Sequence, residues 1–379
     1  MKYRKFGSMD WEVSVLAFGL AGLPLLKSGR VDEASAIAMI RYAIDHGVNY
    51  IDLGHPYREE VHEERVRVLN LALKDDFRER VRIASVIPPR LINSREDFDR
   101  CLDADIRRLE GNGPDFCLLG RLTRDNWPAL REVGVLEAAD RALAGGRIRA
   151  IGFSFHDHYQ VLKEILDAYD SWSLCQFQYS YMDIAHDPGV SGLKLAADRG
   201  LAVVVSEALC QGRLTRGLPP SVADLWSTAA GRRTLAEWGL NFVWSLAEVS
   251  AVVCDMSTMD EVAEDVALAD RAEPESLNVQ EEVLVSRVRE AYRALRPVNC
   301  PSCRPCMPCP QGIDVPRIFE IYNDAFMYGD TACARSIYRD EGHDAGLCTK
   351  CGSCEAACAR RLPILHWLEK AHRLLGCGE

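Results

Sequence analysis

The chain has 379 residues, of which 48% are hydrophobic and 27% are charged, and its formal net charge at pH 7 is −11. This length predicts one large domain and a smaller one, with the composition of a soluble globular protein. The negative charge argues against nucleic acid or an anionic membrane surface as a partner. The basic start and the apolar stretch after it loosely imitate a secretion signal, but Asp10 and Glu12 interrupt the approach and no small-residue cleavage site follows. No apolar run is long enough to span a bilayer, so we expect a cytoplasmic protein.

Apolar, β-branched stretches alternate with stretches of helical periodicity over the first two thirds of the chain. The eight strand-like stretches begin at Val13, Asn49, Arg80, Pro114, Ile148, Leu174, Leu201 and Val249. Ser94 is a predicted N-cap of one of the helices between them. Eight such units in one direction predict an α/β fold, a (β/α)8 barrel. The alternative is an open doubly wound sheet, whose glycine-rich phosphate loop the stretch FGLAGLP resembles only weakly.

The segment that begins at Leu277 has the periodicity of one more helix, outside the repeat, and it leads into a proline-containing boundary, RPVNCP. We therefore expect a barrel over residues 1–275, an extra helix and linker over 276–296, and a small cysteine-rich domain over 297–379.

Several pieces of the barrel region, taken in this order, resemble the aldo-keto reductases: YRKFGSMDWEVSVLAFG, NYIDLGHPY, GFSFHDHY, CQFQYSY and MSTMDEV. The resemblance covers roughly residues 1–270 and is specific only in combination. In that family a Tyr, a Lys, an Asp and a His surround the substrate carbonyl, and the Tyr donates a proton after the Lys has lowered its pKa. The resemblance implies that Asp52 and Tyr57 are two of these four residues, with Tyr57 as the proton donor.

The other two residues of the tetrad are replaced. Val86 stands where the family has its Lys, and Gly120 stands where it has its His. We expect Asp52 to lack its usual partner and Tyr57 to keep a pKa close to that of an ordinary phenol, so that family-type carbonyl reduction is impaired. Asp52 and Tyr57 could then be inherited packing residues.

Three histidines lie at the same predicted rim of the barrel and could supply a substitute acid: His55, His156 and His158. The alternative is that each is a solvated loop histidine.

The resemblance also implies a site for NAD(P)H, but some of the residues that form this site in the family are replaced here. Ser154 and Gln176 match the family positions that hold the carboxamide of the nicotinamide. Ser206 stands where a side chain should stack on the ring, and it cannot stack. Binding of NAD(P)H is therefore an open question at this point.

The phosphates of the nucleotide would be held in the eighth loop, at a helix start where Ser257 and Thr258 could act as caps. Asp255 replaces a glycine of the family there, and no Lys or Arg occurs from residue 234 to residue 270. Only Arg213 and Arg216, in the seventh loop, offer another anchor. We expect weak nicotinamide binding, weaker for NADPH than for NADH.

Ten of the fifteen cysteines lie at or after Cys300. Eight of them form two sets: Cys300, Cys303, Cys306 and Cys309, then Cys348, Cys351, Cys354 and Cys358. In a reducing compartment such spacing favours metal or redox chemistry over disulfides. Zinc is the alternative, but zinc sites prefer two cysteine pairs that are a dozen or more residues apart.

This tail resembles a two-cluster ferredoxin, in which the last cysteine of each motif serves the other cluster. The resemblance implies one [4Fe–4S] cluster on Cys300, Cys303, Cys306 and Cys358, and another on Cys348, Cys351, Cys354 and Cys309. Ala359 departs from the usual pattern, which has a proline there, while Cys333 and Cys377 fit neither set.

Three functions are compatible with these features. The first is an oxidoreductase that acts on a small organic substrate at the barrel mouth and whose clusters exchange electrons with the substrate or with a redox partner protein. The second is a degenerate barrel that serves as a scaffold and electron-transfer subunit. The third is an NAD(P)H-dependent carbonyl reductase with a rearranged general acid.

Overall fold

The structure is a computed structural model that describes residues 1–56, 58–184, 188–229, 231 and 233–376. It contains two compact units. The barrel unit comprises Met1–Gln211 and Arg233–Asn278, and the tail unit comprises Gly212–Arg232 and Val279–Glu379.

The barrel unit contains a two-stranded antiparallel hairpin, β1 (Tyr3–Lys5) and β2 (Glu12–Ser14), followed by a closed parallel barrel. The barrel strands are β3 (Leu16–Gly19), β4 (Tyr50–Asp52), β5 (Arg82–Ile87), β6 (Phe116–Leu122), β7 (Ala150–Phe155), β8 (Trp172–Gln178), β9 (Ala202–Ser206) and β10 (Val249–Cys254). Each strand pairs with its successor, and β10 also pairs with β3. The prediction of a (β/α)8 barrel is confirmed, and the alternative of an open sheet is wrong because the first and last strands are hydrogen-bonded.

Helices follow the strands and form the outer layer of the barrel unit. In chain order, the helices of the whole protein are α1 (Glu33–Asp45), α2 (Glu59–Ala72), α3 (Arg95–Arg108), α4 (Trp127–Glu132), α5 (Val135–Ala144), α6 (Tyr159–Asp167), α7 (Gly189–Asp198), α8 (Pro220–Ser227), α9 (Leu235–Trp244), α10 (Met259–Ala269), α11 (Val279–Arg293), α12 (Val315–Met327), α13 (Thr331–Asp340), α14 (Ser353–Ala357) and α15 (Ile364–Ala371). Short 3₁₀ turns lie at Phe77–Arg80, Pro89–Leu91 and Ala345–Leu347, and a π-helical turn lies at His372–Gly376. Ser94 is the N-cap of α3, as predicted.

The strands are apolar on both faces because one face lines the barrel interior and the other packs against helices. The hairpin covers the amino-terminal end of the interior, where Phe6 lies 5.1 Å from the ring of Phe116 and 5.2 Å from that of Trp11. The carboxyl end of the strands is the end at which barrel enzymes carry their active sites.

The tail unit is helical, and its core is formed by side chains such as Ile318 and Phe319 of α12 and Leu368 of α15. The predicted extra helix corresponds to α11. No helix in the described part of the chain combines the length and the apolar character that crossing a bilayer requires.

Candidate functional site

Asp52 ends strand β4 and is almost completely buried, with 2% of its surface exposed. Its carboxylate accepts a hydrogen bond from the backbone N–H of Gly54 at 2.6 Å and another from the side-chain amide of Gln176 at 2.9 Å. Burial raises the pKa of Asp52 to about 6, the two hydrogen bonds oppose this, and the nearby Asp255 adds to it.

Asp52 therefore has a hydrogen-bond partner, although it is not the lysine that the family resemblance implies. The two hydrogen-bonding residues are far apart in sequence, but β4 and β8 bring them to the same end of the barrel. Because Gln176 is neutral, it satisfies the carboxylate without supplying the positive charge that a lysine would supply.

Gly120 and Val86 occupy neighbouring positions on β6 and β5. A Cβ atom placed on Gly120 would lie 2.7 Å from Cγ1 of Val86 and 3.4 Å from Cδ2 of His55. The imidazole of His55 thus lies beside the backbone of Gly120, where a larger residue would leave too little room. The chain has a histidine at this position in space, although it comes from the loop after β4 and not from β6.

His55 is half-buried and lies near several positive charges. Burial lowers its pKa, and repulsion from Arg90, Arg121 and His62 adds to this effect, so that the pKa is about 4. The imidazole is therefore neutral at pH 7, and it is not in the protonated form that would act as a general acid. Sequence reasoning missed both arginines, although each comes at the end of a barrel strand or just after it, which is a signal that could have found them.

The other residues that were predicted to act as acids are His156, His158 and Tyr57. His156 is half-buried just after β7, and its backbone N–H donates to the carbonyl of Leu122 at 3.2 Å. His158 is exposed and is the N-cap residue of α6. Tyr57 lies outside the described residues, so its role as proton donor stays a prediction.

The residues predicted to hold a nicotinamide carboxamide are engaged in bonds within the protein. The hydroxyl of Ser154 accepts a hydrogen bond from the backbone N–H of Arg121 at 2.7 Å, and Gln176 donates to Asp52. Ser206 ends β9 and its hydroxyl donates to the carbonyl of Phe177 at 3.5 Å.

The start of α10, predicted to hold the phosphates, is capped by the protein itself. Thr258 is its N-cap and accepts a hydrogen bond from the backbone N–H of Glu261 at 3.2 Å. The carboxylate of Glu261 in turn accepts from the backbone N–H of Ser257 at 2.7 Å and from its hydroxyl at 3.0 Å. These bonds use donors that a phosphate would need, and Glu261 adds a negative charge.

Asp255 adds a second negative charge at this end of the barrel. Its carboxylate accepts a hydrogen bond from the backbone N–H of Ala21 at 3.1 Å. A Cβ atom on Gly19 would lie 2.2 Å from the same carboxylate, so Asp255 fills the space beside β3. The side chain is accessible to water, and the protein atoms crowded around it nevertheless raise its pKa, against the opposing effect of Arg65.

Arg213 belongs to the tail unit, whereas the other predicted cofactor-binding residues belong to the barrel unit. Its guanidinium donates to the carboxylate of Asp324 at 2.9 Å and lies 4.6 Å from the ring centroid of Tyr328. Its proposed role as an anchor for a nucleotide stays a prediction.

Four of the predicted cluster ligands line a single small pocket of the tail unit: Cys300, Cys303, Cys306 and Cys358. The pocket is also lined by apolar side chains, among them Val315, Phe319, Leu362 and Ile364. Cys303 and Cys351 are exposed, and the other six predicted ligands are half-buried against the core of the tail unit. The central cysteine of each C-x2-C-x2-C run is thus the one that faces solvent.

The backbones of the two runs turn in the same way. Ser302 and Arg304 flank Cys303 and have φ angles of 54° and 63°, in the left-handed region. Lys350 and Gly352 flank Cys351 and have φ angles of 57° and 78°. Left-handed non-glycine residues carry strain and are concentrated at functional sites. The left-handed φ angles at equivalent positions of both runs indicate that the two loops turn alike around their central cysteine.

Among the described residues, no three cysteine, histidine, aspartate or glutamate side chains converge on a position suited to one metal ion. A cubane differs from a single ion because each of its four cysteine ligands binds a different iron.

The sequence profile described as "Aldo/keto reductase family" matches residues 15–275, more than half of the chain. The chain belongs to the aldo/keto reductase family. It is 22% identical over 330 residues to an L-galactose dehydrogenase from Arabidopsis thaliana, a match that covers 80% of this chain and 98% of the relative. It is 27% identical over 158 residues to "Probable aldo-keto reductase 1" from Glycine max, but this match spans only 40% of this chain and 44% of the relative.

Solved aldo/keto reductases have the same fold. The holo form of AKR11C1 from Bacillus halodurans superposes with a TM-score of 0.61 and 23% identity, covering 76% of this chain and 96% of that one. An aldo-keto reductase from Klebsiella pneumoniae in complex with NADPH superposes with a TM-score of 0.61 and 21% identity, covering 76% and 95%. At this identity the likeness concerns the fold alone.

Membership makes the protein an oxidoreductase of the aldo/keto reductase superfamily. The replacement of two tetrad residues by Val86 and Gly120 stays a prediction, and the observed contacts place His55 beside Gly120 and Gln176 on Asp52. The family match ends at residue 275, before the first cysteine of either run. The iron–sulfur assignment is therefore a proposal, which depends on the cysteines themselves.

Proposed function

We propose that this protein is an iron–sulfur oxidoreductase that acts on a small organic substrate at the barrel mouth and carries electrons on two [4Fe–4S] clusters in its tail unit. The observation that carries the proposal is that Cys300, Cys303, Cys306 and Cys358 line one pocket. Three of them come from one run and the fourth from the other, which is the exchange of ligands found in two-cluster ferredoxins.

The residues around this pocket fit such a group. The walls are mainly apolar, so they shield the half-buried cysteines of the pocket from water, whereas Cys303 is exposed. Burial and hydrogen bonding around a cluster set its reduction potential. The second cluster would be held by Cys348, Cys351, Cys354 and Cys309, on a loop with the same left-handed turns. When bound, a cubane supplies one-electron transfer.

The barrel mouth supplies groups that can hold protons. Reduction of an organic substrate requires protons as well as electrons, and Asp52 takes one up around pH 6 because it is buried. Gly54 and Gln176 fix the orientation of its carboxyl group. His55 is a neutral imidazole at pH 7, which can donate a hydrogen bond to a substrate oxygen.

Classical reduction by NADPH is less well supported. Ser154 and Gln176 are engaged within the protein, the start of α10 is capped by Glu261, and Asp255 lies nearby. An incoming nucleotide would have to displace these bonds and approach two carboxylates. The binding of NADPH is known from the Klebsiella pneumoniae structure and is a property of that protein.

The test is chemical analysis of protein purified without oxygen. We expect about eight irons and eight acid-labile sulfides per chain, the content of two cubanes. Cys358→Ala should lose about half of the iron, because it removes one ligand of one cluster. Cys333→Ala is the matched control, since Cys333 is also half-buried in the tail unit but lies in α13, outside both runs.

Stoichiometric zinc without sulfide, or equal loss of iron in both variants, would contradict the proposal. If the clusters are present but no added organic substrate oxidises the reduced protein, the barrel is a scaffold in an electron-transfer subunit. NADPH binding at submicromolar concentration would instead favour a carbonyl reductase with a rearranged acid.

A further inference from the structure

Two arginines and a histidine lie together at the carboxyl end of three adjacent barrel strands. His55 follows β4, Arg90 lies in the 3₁₀ turn after β5, and Arg121 lies in β6. Since these strands are neighbours and parallel, their carboxyl ends form one continuous part of the rim.

The contacts of these residues show how closely they are grouped. The guanidinium of Arg90 donates to the backbone carbonyl of Pro56 at 2.8 Å, immediately next to His55. The imidazole of His55 lies against Gly120, whose Cβ would come within 3.4 Å of it, and Gly120 is followed at once by Arg121.

The backbone at Arg121 is held in an unusual conformation. Its φ angle is 48°, and its N–H donates to the hydroxyl of Ser154 at 2.7 Å. The register of β6 against β7 shifts between Leu119 and Leu122, so Arg121 lies in an irregularity of the strand. Such irregularities redirect a side chain near an active site, and strain of this kind persists where the surroundings impose it.

The charged groups at this end of the barrel act on different partners. Asp255 adds to the raised pKa of Asp52, and Arg65 in turn acts on Asp255. The charged groups that act on His55 are Arg90 and Arg121, with His62 adding to their effect. In a chain with a net charge of −11, two arginines that act on one imidazole at the barrel mouth are a specific feature.

We propose that Arg90, Arg121 and His55 form a binding site for an oxyanion, so that the substrate of the barrel mouth is an organic carboxylate or phosphate. A guanidinium presents two parallel N–H donors that match either group, and a neutral imidazole adds one more donor. The inference rests on the proposed function in that it names the class of substrate for the same mouth. The anion would be held beside Asp52, the group that holds the proton.

The experiment uses the full chain purified without oxygen and titrates it at low ionic strength with succinate and with inorganic phosphate, by calorimetry. We expect saturable binding of at least one of them, and a stronger response to one of the two separates a carboxylate site from a phosphate site. Arg90→Gln and Arg121→Gln should each weaken binding about tenfold or more, the loss expected for one charge-assisted, two-pronged contact.

Arg67→Gln is the matched control. Arg67 is an exposed residue of α2 whose guanidinium donates to Glu33 of α1 at 2.9 Å, so the variant removes the same charge from the outer helices. Its affinity for both anions should equal that of the unchanged protein. Should Arg121→Gln fail to fold, Arg121→Lys is the second variant. It keeps the positive charge but loses the two parallel N–H donors of the guanidinium, and we expect it to bind the anion more weakly than the unchanged protein does.

Three outcomes would overturn the inference: no saturable binding of either anion, unchanged affinity in the variants of Arg90 and Arg121, or equal weakening by Arg67→Gln. Iron and sulfide are counted on the same samples. Loss of anion binding with full clusters refutes only this site, whereas anion binding without clusters refutes only the iron–sulfur proposal.

Discussion

The barrel unit and the tail unit have cores of different kinds. The barrel has an extended apolar core that connects every strand with the surrounding helices and contains none of the predicted metal ligands. In the described part of the tail unit, 15 buried residues form one apolar cluster, and six of the eight predicted ligands pack against it. Small cores rarely suffice for a stable fold and are commonly supplemented by metal sites. The comparison indicates that the barrel can fold by hydrophobic burial, whereas a tail that carries the proposed clusters would gain part of its stability from them.

The largest expected effect follows directly from this difference. Removal of iron by an anaerobic chelator should unfold the tail unit and leave the barrel folded, because the free energy of metal binding is also free energy of folding. Hydrogen exchange measured by mass spectrometry should show loss of protection in α12 and unchanged protection in β6. Equal protection of α12 with and without iron would show that the tail unit folds without a cluster, so that the two units would not differ in what stabilises them.

The barrel contains a buried carboxyl group that should make its stability depend on pH. Asp265 in α10 is 3% exposed, and burial raises its pKa to about 7, with Glu264 adding to the shift and a hydrogen bond from Cys254 opposing it. The folded protein then binds a proton more tightly than the unfolded chain does, so stability falls as pH rises from about 4 towards 7. The slope from this group is at most about 1.4 kcal/mol per pH unit.

Urea unfolding between pH 4 and pH 8, followed through amide hydrogen exchange in the barrel strands, measures how the stability of the barrel depends on pH. Asp265→Asn should flatten it and should stabilise the barrel at pH 8. Asp260→Asn removes the same charge from an exposed position of the same helix and is the control. A slope that is identical in Asp265→Asn and in the unchanged protein would show that Asp265 does not limit the stability of the barrel.

The smallest expected effect concerns the affinity of the barrel for NADPH and NADH. The unchanged protein should bind NADPH more weakly than NADH, because Asp255 and Glu261 lie where a phosphate would approach. Asp255→Gly restores the glycine of the family and should strengthen NADPH binding several-fold, as measured by fluorescence titration. If Asp255→Gly binds no better than the unchanged protein, the capping of α10 by Glu261 is sufficient to block the site.

Local patterns made the barrel predictable. Six of the eight barrel strands lie within the predicted apolar stretches, and β6 and β8 overlap theirs, since parallel strands covered on both faces are apolar throughout. The proposed replacement of two tetrad residues rests on strand ends, which are marked by the turns that follow them. The bond between Gln176 and Asp52 could not be predicted, because it spans 124 positions of the chain.

The sequence by itself determined the (β/α)8 architecture and the doubled spacing of the cysteines, because each is a property of residues close together in the chain. Only the tertiary structure decided that Asp52 bonds to a neutral amide, that His55 lies over Gly120, and that Arg90 and Arg121 share its surroundings. These contacts arise where the ends of separate strands meet in the closed barrel. Closure fixes such distances through the pairing of every strand with its neighbours, and no local pattern of residues encodes them.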